Sequence, residues 1–132
     1  MDMQIAELNA DERAFQEEVR QFYAENLTPE FRRAGKMMGW AFSDFEFGRQ
    51  WQKILHRRGW GAPSWPVQYG GTGWSPIQHY IFEIETIRAS APVPYYLGIM
   101  LCAPCIMEFG RQDQKDEFLP RIIAGDLSLI HI

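Results

Sequence analysis

The chain has 132 residues, 46% hydrophobic and 14% aromatic, with a formal net charge of -4. That composition excludes a disordered chain, and the length suits one domain with its own core or a piece of a larger protein. The acidic balance argues against a nucleic-acid partner, which would call for a basic face.

The start, "MDMQIAELNADER", has neither a basic segment nor an apolar core, so no signal peptide is read there. The most apolar run, "YYLGIMLCAPCIMEF", is too short for a membrane span and is broken by Pro104. With two cysteines and no export signal, a soluble protein of the reducing cytoplasm is expected.

Helical periodicity then recurs along the chain, with hardly any strand alternation. Asn9 can cap a first helix, with Glu12 completing a capping box. Phe15, Val19, Phe22 and Tyr23 fall on its inner face, and Glu17, Glu18 and Arg20 on the wet one. "LTPEFRR" restarts the chain, with Thr28 as cap and Pro29 in the first helical position. A third helix is expected from Ser43, through the pair in "SDFE", with Phe47, Trp51, Ile54 and Leu55 inward and Gly59 as its stop. Ser75-Pro76 opens a fourth, whose inner stripe reads as Ile77, Tyr80, Ile81, Ile84 and Ile87 before "APVP" ends it. A fifth is expected from about Tyr95 to Phe109, closed by Gly110, and a short sixth over "DQKDEFLPRII". The fold class is all-α: an orthogonal bundle of about six helices.

The stretch between the third and fourth helices, "GWGAPSWPVQYGGTGWSP", holds five glycines, three tryptophans and three prolines. A phosphate-binding P-loop needs a lysine followed by serine or threonine, and none is present. A dinucleotide fingerprint needs a preceding buried strand, which the prolines of "GAPSWPV" oppose. The stretch reads as scaffold instead. Prolines stiffen it, glycines allow positive φ, and aromatic side chains pin it to the bundle.

The same residues carry a family likeness. "GWGAPSWPVQYGGTGWSPIQHYIFEIETIRASAP", followed by an apolar helix and "FGRQDQKDEFLPRIIAGD", resembles the N-terminal helical domain of the acyl-CoA dehydrogenases. The likeness runs over about residues 10–126. It implies a larger FAD-dependent parent, in which a β-domain and a second helical bundle supply most flavin contacts and the catalytic glutamate. The implied reaction takes a proton from Cα of an acyl-CoA and transfers a hydride from Cβ to the flavin. Electrons then pass to an electron-transferring flavoprotein. An oligomeric parent, homo- or heteromeric, is also implied. No glutamate of this chain is expected to be the base; Glu83 and Glu85 read as solvated helix charges, and the fragment alone is expected to be inactive and not to retain FAD.

The resemblance also implies a role for the fifth helix. Matched position by position, Pro94, Leu97, Gly98 and Leu101 would line the inner end of the acyl pocket, and their spacing puts them on one helical face. The competing reading is ordinary core. Gly98 is the hardest to explain that way, since a mid-helix glycine costs about 1 kcal/mol relative to alanine.

Cys102 and Cys105 form "CAPC", which invites a thioredoxin-like reading. That chemistry needs a strand before the motif, and here a helix is expected, so buried cysteines packing as small hydrophobes is the better reading. Zinc would need two further ligands, and the histidines are scattered. His56 reads as a favourable charge at a helix end, His79 as half-buried, and His131 as part of the tail. That tail, Leu127–Ile132, departs from the family pattern. CTG-TCT-CTT-ATA-CAC-ATC, a transposon end used in sequencing libraries, encodes the same six residues, so 127–132 is expected to be foreign to the domain at 1–126. A stand-alone helical interaction module without chemistry is the alternative reading of the whole.

Overall fold

The structure is a computed structural model and describes residues 7–37, 45–94 and 97–127. It is all-helical there, with no strand among the described residues. The six α-helices are α1 (Ala10–Asn26), α2 (Pro29–Met37), α3 (Phe45–Arg58), α4 (Pro76–Ala89), α5 (Ala103–Phe109) and α6 (Gln112–Ile123). A 3-10 turn at Val67–Tyr69 lies in the tryptophan-rich loop, and a π turn at Leu97–Cys102 leads into α5.

Local chemistry sets the helix ends. The Glu12 N–H donates to Asn9 Oδ1 at 2.9 Å and the Asn9 N–H to Glu12 Oε2 at 2.8 Å, which is the expected capping box. Thr28 Oγ1 accepts from the Phe31 N–H at 3.4 Å, and Ser75 and Gln78 form a second box at α4. The Ser43 start of α3 lies outside the described residues. At its other end Gly59 has φ +83°, its N–H bonds to His56 O, and the Trp60 N–H reaches back to Leu55 O. Those are the two bonds of a Schellman stop, which needs a left-handed residue. Gly110 also follows its helix as expected, though with extended backbone at φ -72°.

Two clusters make the core. The larger joins Phe15, Val19, Phe22 and Tyr23 of α1 to Phe31, Trp51, Leu55, Trp60 and Ile81. Its centre is aromatic: the Phe22 and Trp60 ring centres are 4.9 Å apart, those of Trp74 and Phe82 5.1 Å. The smaller gathers Ala62, Trp65, Ile99, Ala103, Leu119, Ile122 and Ile123. Each fully buried aliphatic side chain such as Val19 or Ile81 contributes about 1.5–3 kcal/mol. Gln52 is wholly buried between the clusters, where its Nε2 donates to Gly61 O and to Ile123 O, both at 2.8 Å.

The tryptophan-rich loop is scaffold, as its composition suggested. Trp60 and Trp65 are buried, and Gly59, Gly70 and Gly73 have positive φ. Gly71 is needed for a different reason: a Cβ there would lie 1.6 Å from the Trp65 carbonyl oxygen. Leu127, first of the six tail residues, is half-buried against the smaller cluster; Ser128–Ile132 lie outside the described residues.

Two sequence expectations for α4 fail. Its inner face is Ile81, Phe82, Glu85 and Ala89, whereas Ile77, Tyr80 and Ile87 are exposed, Ile87 by 73%. The helix is apolar on more than one side, and α1 packs on the side carrying Glu85. Nor is Glu85 a solvated charge, although Glu83 is exposed. The Glu85 carboxylate is buried and accepts from Gln16 Nε2 at 2.9 Å, Arg20 Nε at 3.0 Å and Nη2 at 3.1 Å, and Arg88 Nη1 at 3.1 Å. Burial pushes its carboxyl up, but the Arg20 bond and charge, with Gln16 and Arg88, outweigh that and hold it below the ordinary value. At the next position, Thr86 Oγ1 donates to Phe82 O at 2.6 Å, which leaves the Tyr23 hydroxyl as donor in the 2.5 Å contact between the two side chains.

Candidate functional site

The segment from Pro94 into α5 carries the four residues that the family likeness singles out. Pro94 is half-buried after α4, and Tyr95 and Tyr96 lie outside the described residues. Leu97 then opens the π turn that runs to Cys102. The four do not share one face. Leu97 and Leu101 are exposed, by 38% and 57%, with Met100 beside them at 45%, while Gly98 and Ile99 turn inward. The expectation of a single face assumed α-helical spacing, and the π turn alters it.

Met100 is a residue that sequence reasoning passed over. A second is Trp65, whose indole Nε1 donates to the Ile99 carbonyl at 3.0 Å, with both residues buried. The readable signal was Pro104, placed where a helix needs an N–H.

The cysteines are not the buried pair expected. Cys102 is half-buried and Cys105, within α5, is exposed. Burial pushes the Cys102 thiol up, and Cys105 adds to the effect, the opposite of what an attacking thiolate needs. The residues before the motif are helical, which is not the thioredoxin-like setting. His56 is exposed in the last turn of α3, and His79 is half-buried with its ring centre 5.6 Å from that of Trp74. Among the described residues, no group of three or more His, Cys, Asp or Glu side chains converges on a point.

The surface of the described residues includes two open clefts. One of about 500 Å³ lies between α1 and α3, lined by Glu18, Phe22, Glu25, Ile54 and Arg58, with Arg58 paired to Glu18. The other, about 450 Å³, lies between the tryptophan-rich loop and α6 over Gln68, Tyr69, Lys115, Asp116 and Leu119. No helix among the described residues is long and apolar enough to cross a membrane.

The class of this helical domain is settled by its sequence: the chain belongs to the acyl-CoA dehydrogenases. The family model described as acyl-CoA dehydrogenase, N-terminal domain, matches residues 9–126. Among individual proteins, the chain is 42% identical over 110 residues to the acyl-CoA dehydrogenase FadE26 of Mycobacterium tuberculosis, covering 83% of this chain and 27% of that protein. Among solved structures it resembles the ChsE4-ChsE5 complex of Mycobacterium tuberculosis, with a TM-score of 0.68 and 38% identity over 96% of this chain. It also resembles the Tcur3481-Tcur3483 steroid ACAD, with a TM-score of 0.72 and 31% identity over 92% of this chain. The chain spans less than a third of these relatives, 27% of FadE26 and 30% of each matched structure chain.

The family implies FAD, and neither of these two clefts fits it. A flavin needs a flat apolar slot and donors for its pyrophosphate. The first cleft sets Glu18 and Glu25 against Arg57 and Arg58, with Arg58 already paired to Glu18. It therefore presents no surplus of positive charge for that pyrophosphate, and the second is lined largely by polar side chains around the adjacent Lys115 and Asp116.

Proposed function

We propose that this chain is the N-terminal helical domain of a longer FAD-dependent acyl-CoA dehydrogenase, an enzyme that introduces an α,β double bond into an acyl-CoA thioester. Its own contribution is the inner wall of the acyl pocket, built from Pro94, Leu97, Gly98 and Leu101. The observation that carries this reading is the exposed apolar edge of the π turn, Leu97, Met100 and Leu101, in a domain that matches the family over residues 9–126. An apolar edge open to water is what a pocket wall looks like before the rest of a pocket closes over it.

The flavin and the catalytic glutamate belong to the remainder of the parent. The fragment alone is therefore inactive and retains no FAD. The parent passes its electrons to an electron-transferring flavoprotein. Two of the structures that the chain resembles are named for pairs of different chains, which supports an oligomeric parent and makes a heteromer the first arrangement to test. One is named a steroid ACAD, so steroid-bearing thioesters join fatty acyl-CoAs in the substrate panel. The domain lies within residues 1–126, and 127–132 is foreign to it; finding Leu-Ser-Leu-Ile-His-Ile in the genomic frame of the source locus overturns that boundary.

The test is Gly98→Phe in the full-length parent, assayed across acyl chain lengths. Gly98 is buried on the inner side of the turn. The added ring therefore takes substrate space only if the acyl chain reaches that side, and otherwise overpacks this domain's own core. One methylene in an apolar pocket is worth about 1–3 kcal/mol. Steep loss of kcat/KM for acyl groups reaching this depth, with short ones spared and the melting temperature held, supports the pocket wall. Uniform loss across chain lengths with a lowered melting temperature makes Gly98 a packing glycine and overturns it.

A further inference from the structure

A π turn pairs each carbonyl with the N–H five residues on, where an α-helix uses the fourth. Pro104 has no N–H to give. In the α register the carbonyl left without a partner would be that of Met100; in the π register it is that of Ile99. These two carbonyls stand in different surroundings. Met100 is 45% exposed, so water can serve it, whereas Ile99 is 7% exposed and an unpaired carbonyl there would be costly.

The buried alternative is nonetheless the one adopted, and its reason is Trp65. The indole Nε1–H donates to Ile99 O at 3.0 Å from a side chain only 5% exposed. The Trp65 ring is itself held in the loop, where Gly71 lets the backbone pass against the Trp65 carbonyl, and it packs with Ala62, Ala103 and Leu119. Trp65 therefore arrives from 34 residues away to satisfy the one carbonyl that the π register strands. If the turn relaxed to α, the residues before it would rotate by about 100° relative to α5, one residue's worth of helix. Leu97 and Gly98 would then point elsewhere.

We infer that Trp65 is a positioning residue for acyl-chain selection: its indole N–H fixes the π register, and the register aims Leu97, Gly98 and Leu101. The inference rests on the pocket-wall reading of these residues. It gives a role to two motifs that the fold alone leaves unexplained, the "SWP" of the loop and the proline of "CAPC".

The experiment uses the full-length, FAD-loaded parent with Trp65 replaced by 3-benzothienylalanine, which keeps the bicyclic shape and puts sulfur in place of N–H. Steady-state kcat and KM are measured for acyl-CoAs from short to bulky, beside Gly98→Phe and a melting curve. The expected result is a fall of about tenfold in kcat/KM, carried mainly by KM, for acyl groups long enough to reach the turn. Short acyl groups should change by less than about twofold, within the same uncertainty of a lost buried hydrogen bond. If Gly98→Phe redistributes activity among chain lengths and the Trp65 analogue does not, the inference falls and the pocket wall stands. If neither redistributes it, the pocket wall falls and the inference with it. A uniform loss with a lowered melting temperature makes Trp65 a packing residue and also overturns it. Should the analogue not fold, hydrogen exchange of the Trp65 indole in the unmodified enzyme decides: slow exchange supports the bond, and exchange at the rate of an exposed indole refutes it.

Discussion

Replacing Glu85 with alanine removes the acceptor of four hydrogen bonds at once, those from Gln16, Arg20 (two) and Arg88. The carboxylate side chain is 6% exposed, but those of Arg20 and Arg88 are 46% and 48% exposed. Both guanidinium groups can therefore return to water when the acceptor is gone. The loss should fall below the roughly 3–5 kcal/mol of breaking a wholly buried pair, and near the 1.5–3 kcal/mol typical of bonds to a charged group. About 2 kcal/mol is expected, which for a domain of this size lowers Tm by about 6–10 °C. The assay is thermal unfolding of this chain and its Glu85→Ala variant, followed by far-UV circular dichroism from pH 7 downward. Because the folded carboxyl lies below its ordinary value of 4.5, its stabilisation is complete above that pH and is lost as pH falls through the folded value. The gap between the two melting curves should therefore hold from neutral pH to near 4.5 and then close. A gap under about 2 °C at pH 7, on the same size scaling, or one that widens on acidification, would refute the network as a source of stability.

Two glycines should part company. Gly71→Ala drives a Cβ to 1.6 Å from the Trp65 carbonyl oxygen and should cost more than about 3 kcal/mol, whereas Gly59→Ala meets nothing within 4 Å and should cost only about 1 kcal/mol for its φ of +83°; equal losses in denaturant titrations would contradict this. Iodoacetamide at neutral pH should label the exposed Cys105 before Cys102, whose thiol burial has raised, as peptide mass mapping of a time course would show; Cys102 labelling first would be the wrong order. The purified chain should be helical by circular dichroism and colourless, and stoichiometric flavin after gel filtration would contradict the placing of the FAD site in the rest of the parent.

Where a rule acts over four or five residues, the sequence was readable. The box at Asn9 and Glu12, the stop at Gly59 and the start at Ser75-Pro76 depend on neighbours alone, and each stands where expected. The inner face of α4 was not readable. Periodicity favoured the isoleucine-rich stripe, but the partner helix α1 takes the face with Glu85, and the Arg20 that makes burial of that carboxylate tolerable is 65 positions away. The candidate site divides in the same way. Its residues could be named from the family likeness, yet their directions depend on a π turn held by a tryptophan 34 positions from the carbonyl it serves. Cys105 shows the limit of composition: cysteine favours the interior, and this one lies on the exposed side of α5.

The double bond pattern of Gln52 has a dynamic consequence. One amide nitrogen holds Gly61 O, nine positions away, and Ile123 O, 71 positions away, so the end of α6 and the start of the tryptophan-rich loop share a single tether. Nearby, Lys53 pairs with Asp126 at 2.9 Å and Arg49 Nε donates to Gly125 O at 3.1 Å, which fastens the same junction from its exposed side. Opening α6 strands a wholly buried amide, so the segment cannot fray independently in the way that chain termini usually do. Amide protons at the end of α6 should exchange with the protection of the α3 core rather than that of a loose end, making α3 and the end of α6 one cooperative unit.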